Sequence, residues 1–205
     1  TTYSNLRWKG ITVADIKLNL GCGLVTKQGW VNVDRLALPG VDVQADLFQY
    51  PWDTLAQYYG QVDEILVSHL AEHIPHEARC NPGYGLEGYD GFFCFFHQCW
   101  LLLKPTGLLT VEAPHVRHEA AFMDPTHTRY LNPLTFNYLN QVEAERSNTF
   151  DYKLGYGFKV KKYAHLCLGG SLQALDQSPL APYLWNSVWS FRVELEPIYE
   201  SLHNG

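Results

Sequence analysis

The chain has 205 residues, of which 46% are hydrophobic and 18% charged. That composition gives a folded domain with a full core and excludes a disordered chain. Formal net charge is −6, and the 15 Lys and Arg are scattered without a basic stripe, so no nucleic-acid partner is expected.

No apolar run approaches the about 18 residues of a membrane-spanning helix, and TTYSNLRWKG lacks the apolar block of a signal peptide. A cytoplasmic protein with no membrane partner is the expectation. Five cysteines (Cys22, Cys80, Cys94, Cys99 and Cys167) form no CxxC pair and read as free thiols in a reducing compartment. One domain over residues 1–205 is expected, with irregular insertions near 76–91 and 115–133.

Apolar runs at 16–20 and 30–33 predict the first two strands. Gly21-Cys22-Gly23 and a polar turn link them, only ten residues from Gly21 to Gly29 plus Trp30. A parallel pair normally needs a crossover of about a dozen or more, so the helix here is one turn long or replaced by a loop. Val41 and Val43 predict a short strand that exits at Asp46-Leu47, and Pro51 precedes a short helix over 52–59.

Residues 61–67 predict strand four, with Ser68-His69 at its carboxyl end. The Gly- and Tyr-rich stretch 79–91 reads as an irregular insertion, and as a lid over a pocket. An apolar helix over 92–103, a Pro-Gly turn over 104–107 and strand five over 108–111 follow. Asn132-Pro133 starts a helix predicted over 134–145. Strands over 158–166 and 191–198 complete the chain, with a loop at 169–182 between them. The alternation of strand and helix gives an α/β class with a mainly parallel sheet.

Glycines at a strand exit let the backbone approach a ligand, and Asp34 at the end of the next strand can take both hydroxyls of a ribose. A dinucleotide site wants G-x-G-x-x-G and an acid about 20 residues on. Here Val25 and Thr26 stand where the third glycine would fall, and Asp34 comes only 11 residues after Gly23. A ligand with a ribose but no pyrophosphate fits the reduced motif better than a nicotinamide dinucleotide.

The motifs NLGCG, GWVNVD, DLFQYPW, VSHLAEHIP, LLKPTGLLTVEAP and DPTHTRYLNPLTF follow one another from Ile16 to about Phe136. In this order they resemble the class I S-adenosylmethionine-dependent methyltransferases. The resemblance implies a Rossmann-like, doubly wound, mainly parallel seven-stranded sheet with an antiparallel last strand between strands five and six. It implies S-adenosyl-L-methionine as cofactor and methyl transfer to a small or medium polar acceptor, a hydroxyl or an amine. By position, Asn19, Gly21, Cys22 and Gly23 would line the methionine end. Asp34 would hold the ribose, Asp46 and Leu47 the adenine, and Ser68 and His69 would lie under the sulfonium. Two positions depart from the family: Asn19 stands where an acid is common, and Val25 where a glycine is.

His69-Leu70-Ala71-Glu72-His73 matches H-x-x-E-H, a zinc peptidase spacing that needs a stable helix. With a strand ending before it and Pro75 after it, no metal is expected there, and His73 is read as a pocket wall facing substrate. The polar segment after strand five supplies the expected catalytic residues. These are His115 or His127 as general base, with Asp124 orienting a histidine or binding substrate; a structural network of hydrogen-bonded histidines and a divalent metal site are the other readings of His115, His118, Asp124 and His127. His118, Arg129 and Tyr130 are expected at the substrate. A non-catalytic module binding a nucleoside or S-adenosylmethionine is the alternative.

Overall fold

The computed structural model describes residues 15–80, 88–140, 154–167, 172–174 and 185–199. The first strands are β1 (Lys17–Leu20), β2 (Val31–Asp34), β3 (Val43–Gln44) and β4 (Gln49–Tyr50). After them come β5 (Val62–Ser68), β6 (Arg79–Cys80) and β7 (Leu103–Pro114). The last are β8 (Gly157–Cys167), β9 (Leu172–Ala174) and β10 (Val188–Ile198).

The main sheet runs β3-β2-β1-β5-β7-β10-β8-β9. β1, β2, β3, β5 and β7 are mutually parallel, and β10 lies antiparallel between β7 and β8. This is the expected Rossmann-like order with its reversed last strand. β9 adds an eighth, edge strand inside a stretch the sequence reads as loop. β4 and β6 form a separate two-stranded ribbon, also unforeseen, that joins the start of the 79–91 insertion to the segment after β3. Residues 81–87 of that insertion lie outside the described residues, so of the expected lid only 79–80 and 88–91 are described.

Helix α1 (Gly91–Leu102) starts where Asp90 accepts a hydrogen bond from the Phe92 amide. The turn expected at 104–107 is instead an irregularity inside β7: Val62 pairs with Leu103 but Glu64 with Leu108. The helix expected over 134–145 appears as a 3-10 helix, Pro133–Leu139, with a capping box between Asn132 and Thr135. Residues 141–145 lie outside the described residues. Residues Asp53–Tyr58 and Ala71–His73 also form short 3-10 turns.

Core side chains share one face of the sheet. Leu18, Leu20, Ile65, Val67, Leu109, Val111, Phe191, Val193 and Leu195 lie on it, all fully or almost fully buried. Phe92 and Phe96 of α1 pack on Phe136, and Phe136 on Phe191. The opposite face carries Glu64, Leu66, Ser68, Thr110, Glu112, Arg192 and Glu194, all half-buried. Parallel strands covered on both faces read as continuous apolar runs; β5, VDEILVS, instead alternates because one face is wet. Ion pairs between Lys17 and Glu64 and between Arg192 and Glu112 bridge adjacent strands there. No helix of the described residues is long and apolar enough to cross a membrane.

The β1–β2 crossover contains no helix, and polar side chains hold it. Asn19 is buried and donates from Nδ2 to the Val25 carbonyl (2.9 Å) and to Asn32 Oδ1 (3.0 Å). Asn32 Oδ1 also accepts from the Lys27 amide (2.8 Å), and its Nδ2 donates to the Lys27 and Trp30 carbonyls. Asp42 Oδ2 closes the network on the Asn32 amide at 2.7 Å. An acid at position 19 would set a carboxylate oxygen against two acceptors. Asn19→Asp is therefore expected to lower the unfolding free energy by about 1–3 kcal/mol, the cost of buried polar groups left unpaired. Urea denaturation followed by circular dichroism checks this; an unchanged midpoint would refute the network's role.

Candidate cofactor and substrate cleft

A cleft of ≈ 430 Å³ lies across the carboxyl ends of β1, β2, β3 and β5. The chain runs outward from β1 in both directions here, the topological switch point where open α/β sheets take ligands. Gly21, Asp34, Arg35, Ala45, Asp46, Leu47, Phe48, His69, Leu70, His73 and Thr126 line it.

Gly21 has φ +67, and a Cβ there would come within 2.7 Å of Leu70. The dihedral favours glycine, and any side chain there would also have to displace the Leu70 methyl groups. The amides of Gly21 and Cys22 donate to the Val33 carbonyl, which folds the turn over the end of β2. Asp34 Oδ2 accepts from the Gly23 amide and Oδ1 from the Leu36 amide, both at 2.9 Å. Each oxygen keeps a second lone pair for a ligand. Asp46 accepts from the Phe48 amide (2.9 Å) and pairs with Arg79 at 3.2 Å.

His69 leaves β5 with φ +52, a left-handed conformation rare for a residue with a side chain. Its amide donates to the Glu112 carbonyl on β7 (2.9 Å), and its Nδ1 lies 3.4 Å from Glu72 Oε1. The Glu72 carboxylate raises the His69 pKa above its ordinary value, against the effect of burial.

Of the residues expected at the cofactor, Gly21, Asp34, Asp46, Leu47 and His69 line the cleft. Asn19 holds the crossover from beneath. Cys22 is buried, which pushes its thiol pKa up and makes it a packing residue. Gly23 reaches the cleft through its bond to Asp34, and Ser68 donates instead to Glu112 on the wet face (2.9 Å).

Among the expected catalytic and substrate residues, only His73 lines the cleft. His115 is buried against His165 and Phe191, and its Nδ1 accepts from the Arg117 amide. His118 likewise accepts from the Ala120 amide. Arg129 donates to the Ile74 and Pro75 carbonyls and to Asp90, so its guanidinium is a tie between segments. Tyr130 is exposed and stacks on Phe122 at 4.5 Å. Asp124 accepts from the amide and hydroxyl of Thr126, and His127 packs edge-on against His73 at 4.7 Å.

Sequence reasoning missed Arg35, Ala45, Phe48, Leu70 and Thr126. Arg35 and the Ala45–Phe48 flank adjoin acids that it did name, so strand-exit neighbours were the available signal. Leu70 had none, because its place depends on the positive φ of His69.

Burial, and then the neighbouring His165 ring, push the His115 pKa down to about 4. The native state therefore holds this imidazole neutral, while the unfolded chain protonates it near its ordinary value of 6.5. Its contribution is complete above the unfolded value and lost as pH falls from about 6.5 to about 4. His115→Asn keeps an acceptor for the Arg117 amide and removes the titration. Urea midpoints at pH 7 and pH 5 are expected to differ less in the variant than in the natural chain; an equal difference would contradict the assignment.

No family model matches the sequence, and no curated protein does. Solved structures do match. One is a SAM dependent methyltransferase from Archaeoglobus fulgidus at 15% identity, covering 89% of this chain and 86% of that one, with a TM-score of 0.55. Another is coclaurine N-methyltransferase bound to N-methylheliamine and SAH, at 13% identity, covering 90% of this chain and 68% of that one, with a TM-score of 0.49. At such identity the likeness is one of architecture: the chain has a Rossmann-like fold similar to that of the Archaeoglobus fulgidus structure.

Proposed function

We propose that the chain is an S-adenosylmethionine-dependent methyltransferase acting on a small or medium polar acceptor. The observation that carries the reading is Asp34, placed at the end of β2 on the rim of the switch-point cleft with lone pairs to spare. The residues present fit the cofactor: Gly21 and Asp34 line one cleft with Ala45, Leu47 and Phe48, and among the described residues no helix N-terminus stands there for a pyrophosphate.

Asp34 would take the ribose hydroxyls and the Gly21 turn the methionine end. Ala45, Leu47 and Phe48 would flank the adenine. Bound S-adenosylmethionine supplies an activated methyl group. The protein's task is then to hold the acceptor in line and remove its proton, and positioning supplies much of the rate. His69, half-exposed in the cleft wall, is the imidazole best placed to receive that proton. It replaces His115, which is buried with its Nδ1 engaged.

Asp34→Asn keeps an acceptor for the Gly23 amide while removing the charge. Calorimetric titration with S-adenosylhomocysteine is expected to show binding weakened about 10- to 100-fold, the size of a lost charge-assisted hydrogen bond. Equal affinity in the two proteins would remove Asp34 from the ribose site.

A further inference from the structure

We propose that Glu72, His73 and His127 form a binding site for a divalent first-row transition cation of the zinc class, set in the wall of the cleft. The site is independent of the methyltransferase reading.

The ligating atoms of these three residues all lie within 4.8 Å of one another. A tetrahedral zinc with arms of about 2.1 Å spaces its donors about 3.4 Å apart, so side-chain shifts of about an ångström close the set. One carboxylate oxygen and two imidazole nitrogens suit such an ion and not calcium or magnesium, which want oxygen.

Glu72 is 2% exposed, and neither of its carboxylate oxygens has a hydrogen-bond partner. No Lys or Arg pairs with it among the described residues; the basic side chains beside it are the imidazoles of His69 at 3.4 Å and His127 at 4.0 Å. Burying an unpaired carboxylate costs several kcal/mol unless something neutralises it.

The surroundings of both histidines suit the tautomer a metal needs. Thr126 donates its hydroxyl proton to Asp124 Oδ1 at 2.7 Å. His73 Nδ1 lies 3.0 Å from that same hydroxyl, so a neutral His73 that donates there carries its free lone pair on Nε2. His127 Nδ1 lies 3.0 Å from the Ala121 carbonyl, which can only accept, so Nδ1 carries a proton and Nε2 is the free nitrogen of the neutral ring. That nitrogen lies 4.0 Å from Glu72 Oε1. Metal-bound histidines are typically oriented in this way, by a carboxylate relay or a backbone carbonyl on the far nitrogen.

The two carrier segments are also locked together. Thr128 and Arg129 donate their amides to the Glu72 carbonyl at 2.9 and 3.0 Å, and the Thr128 hydroxyl donates to Ile74 at 2.8 Å. His73 and Thr126 line the cleft, which gives an ion a way in. Three protein donors leave a tetrahedral ion one position for water or an acceptor atom of a substrate.

The test uses the whole chain, stripped with a chelator and titrated with Co²⁺ and Zn²⁺. One equivalent of Co²⁺ is expected to give the intense visible bands of a four-coordinate ion, displaced by Zn²⁺. Glu72→Gln and His127→Gln are expected to abolish the bands. Thr126→Ala, which removes no ligand but takes away the hydroxyl that links His73 Nδ1 to Asp124, is expected to weaken affinity about 10- to 100-fold. Circular dichroism of each stripped variant checks that it folds, and Thr126→Ala serves if the other two do not. Absence of a stoichiometric Co²⁺ or Zn²⁺ site in the natural chain would overturn the proposal, with an imidazolium then balancing Glu72. Undiminished affinity in a folded Glu72→Gln or in Thr126→Ala would overturn it as well.

Discussion

Two parallel strands joined by ten residues impose the constraint on which the cleft depends. That length is too short for a helix to return the chain across the sheet. The crossover is instead cross-linked from below by Asn19 and Asn32, whose amides satisfy the carbonyls at Val25, Lys27 and Trp30. This fixes the Gly21–Gly23 turn over the end of β2 and brings the Gly23 amide to Asp34. On the face of the sheet that is only half-buried over β5, β7 and β10, ion pairs such as Lys17 with Glu64 bridge adjacent strands. Asn19, a departure from the related pattern when read as a ligand-side residue, is the centre of this arrangement.

A second set of bonds builds the other wall. The segment Asp124–Arg129 docks on Glu72–Pro75 through main-chain and side-chain bonds from Thr128 and Arg129. Such links are short and directional, so they orient the His69 and His73 rings more tightly than apolar contact would. Together the two sets bring the ends of β1, β2, β3 and β5 around one concavity from segments far apart in sequence.

The fold was largely legible because strand runs and their exits obey local rules: period, glycine at the turn, acid at the end. The Asn132-Pro133 cap was read correctly, while the helix behind it tightened into 3-10 geometry. Pro105 and Gly107 signalled a turn, yet the chain absorbs them as an irregularity within β7, since Leu103 already pairs with Val62. The site was legible only where ligand-facing residues sit at strand ends. For the polar segment after β7, residue type could not separate histidines that face the cleft from those that hold the backbone. His115 and His118 cap their own turns, an i to i+2 bond invisible without coordinates. The H-x-x-E-H spacing was judged by helix geometry, whereas its Glu72 and His73 meet His127 across the fold.

The central claim is that the switch-point cleft is shaped for a ribose-bearing ligand without a pyrophosphate. Parallel calorimetric titrations of the intact chain with S-adenosylhomocysteine and with NAD test it most directly. Saturable binding of S-adenosylhomocysteine with no heat of binding from NAD is the predicted result. Binding of NAD without binding of S-adenosylhomocysteine would contradict it.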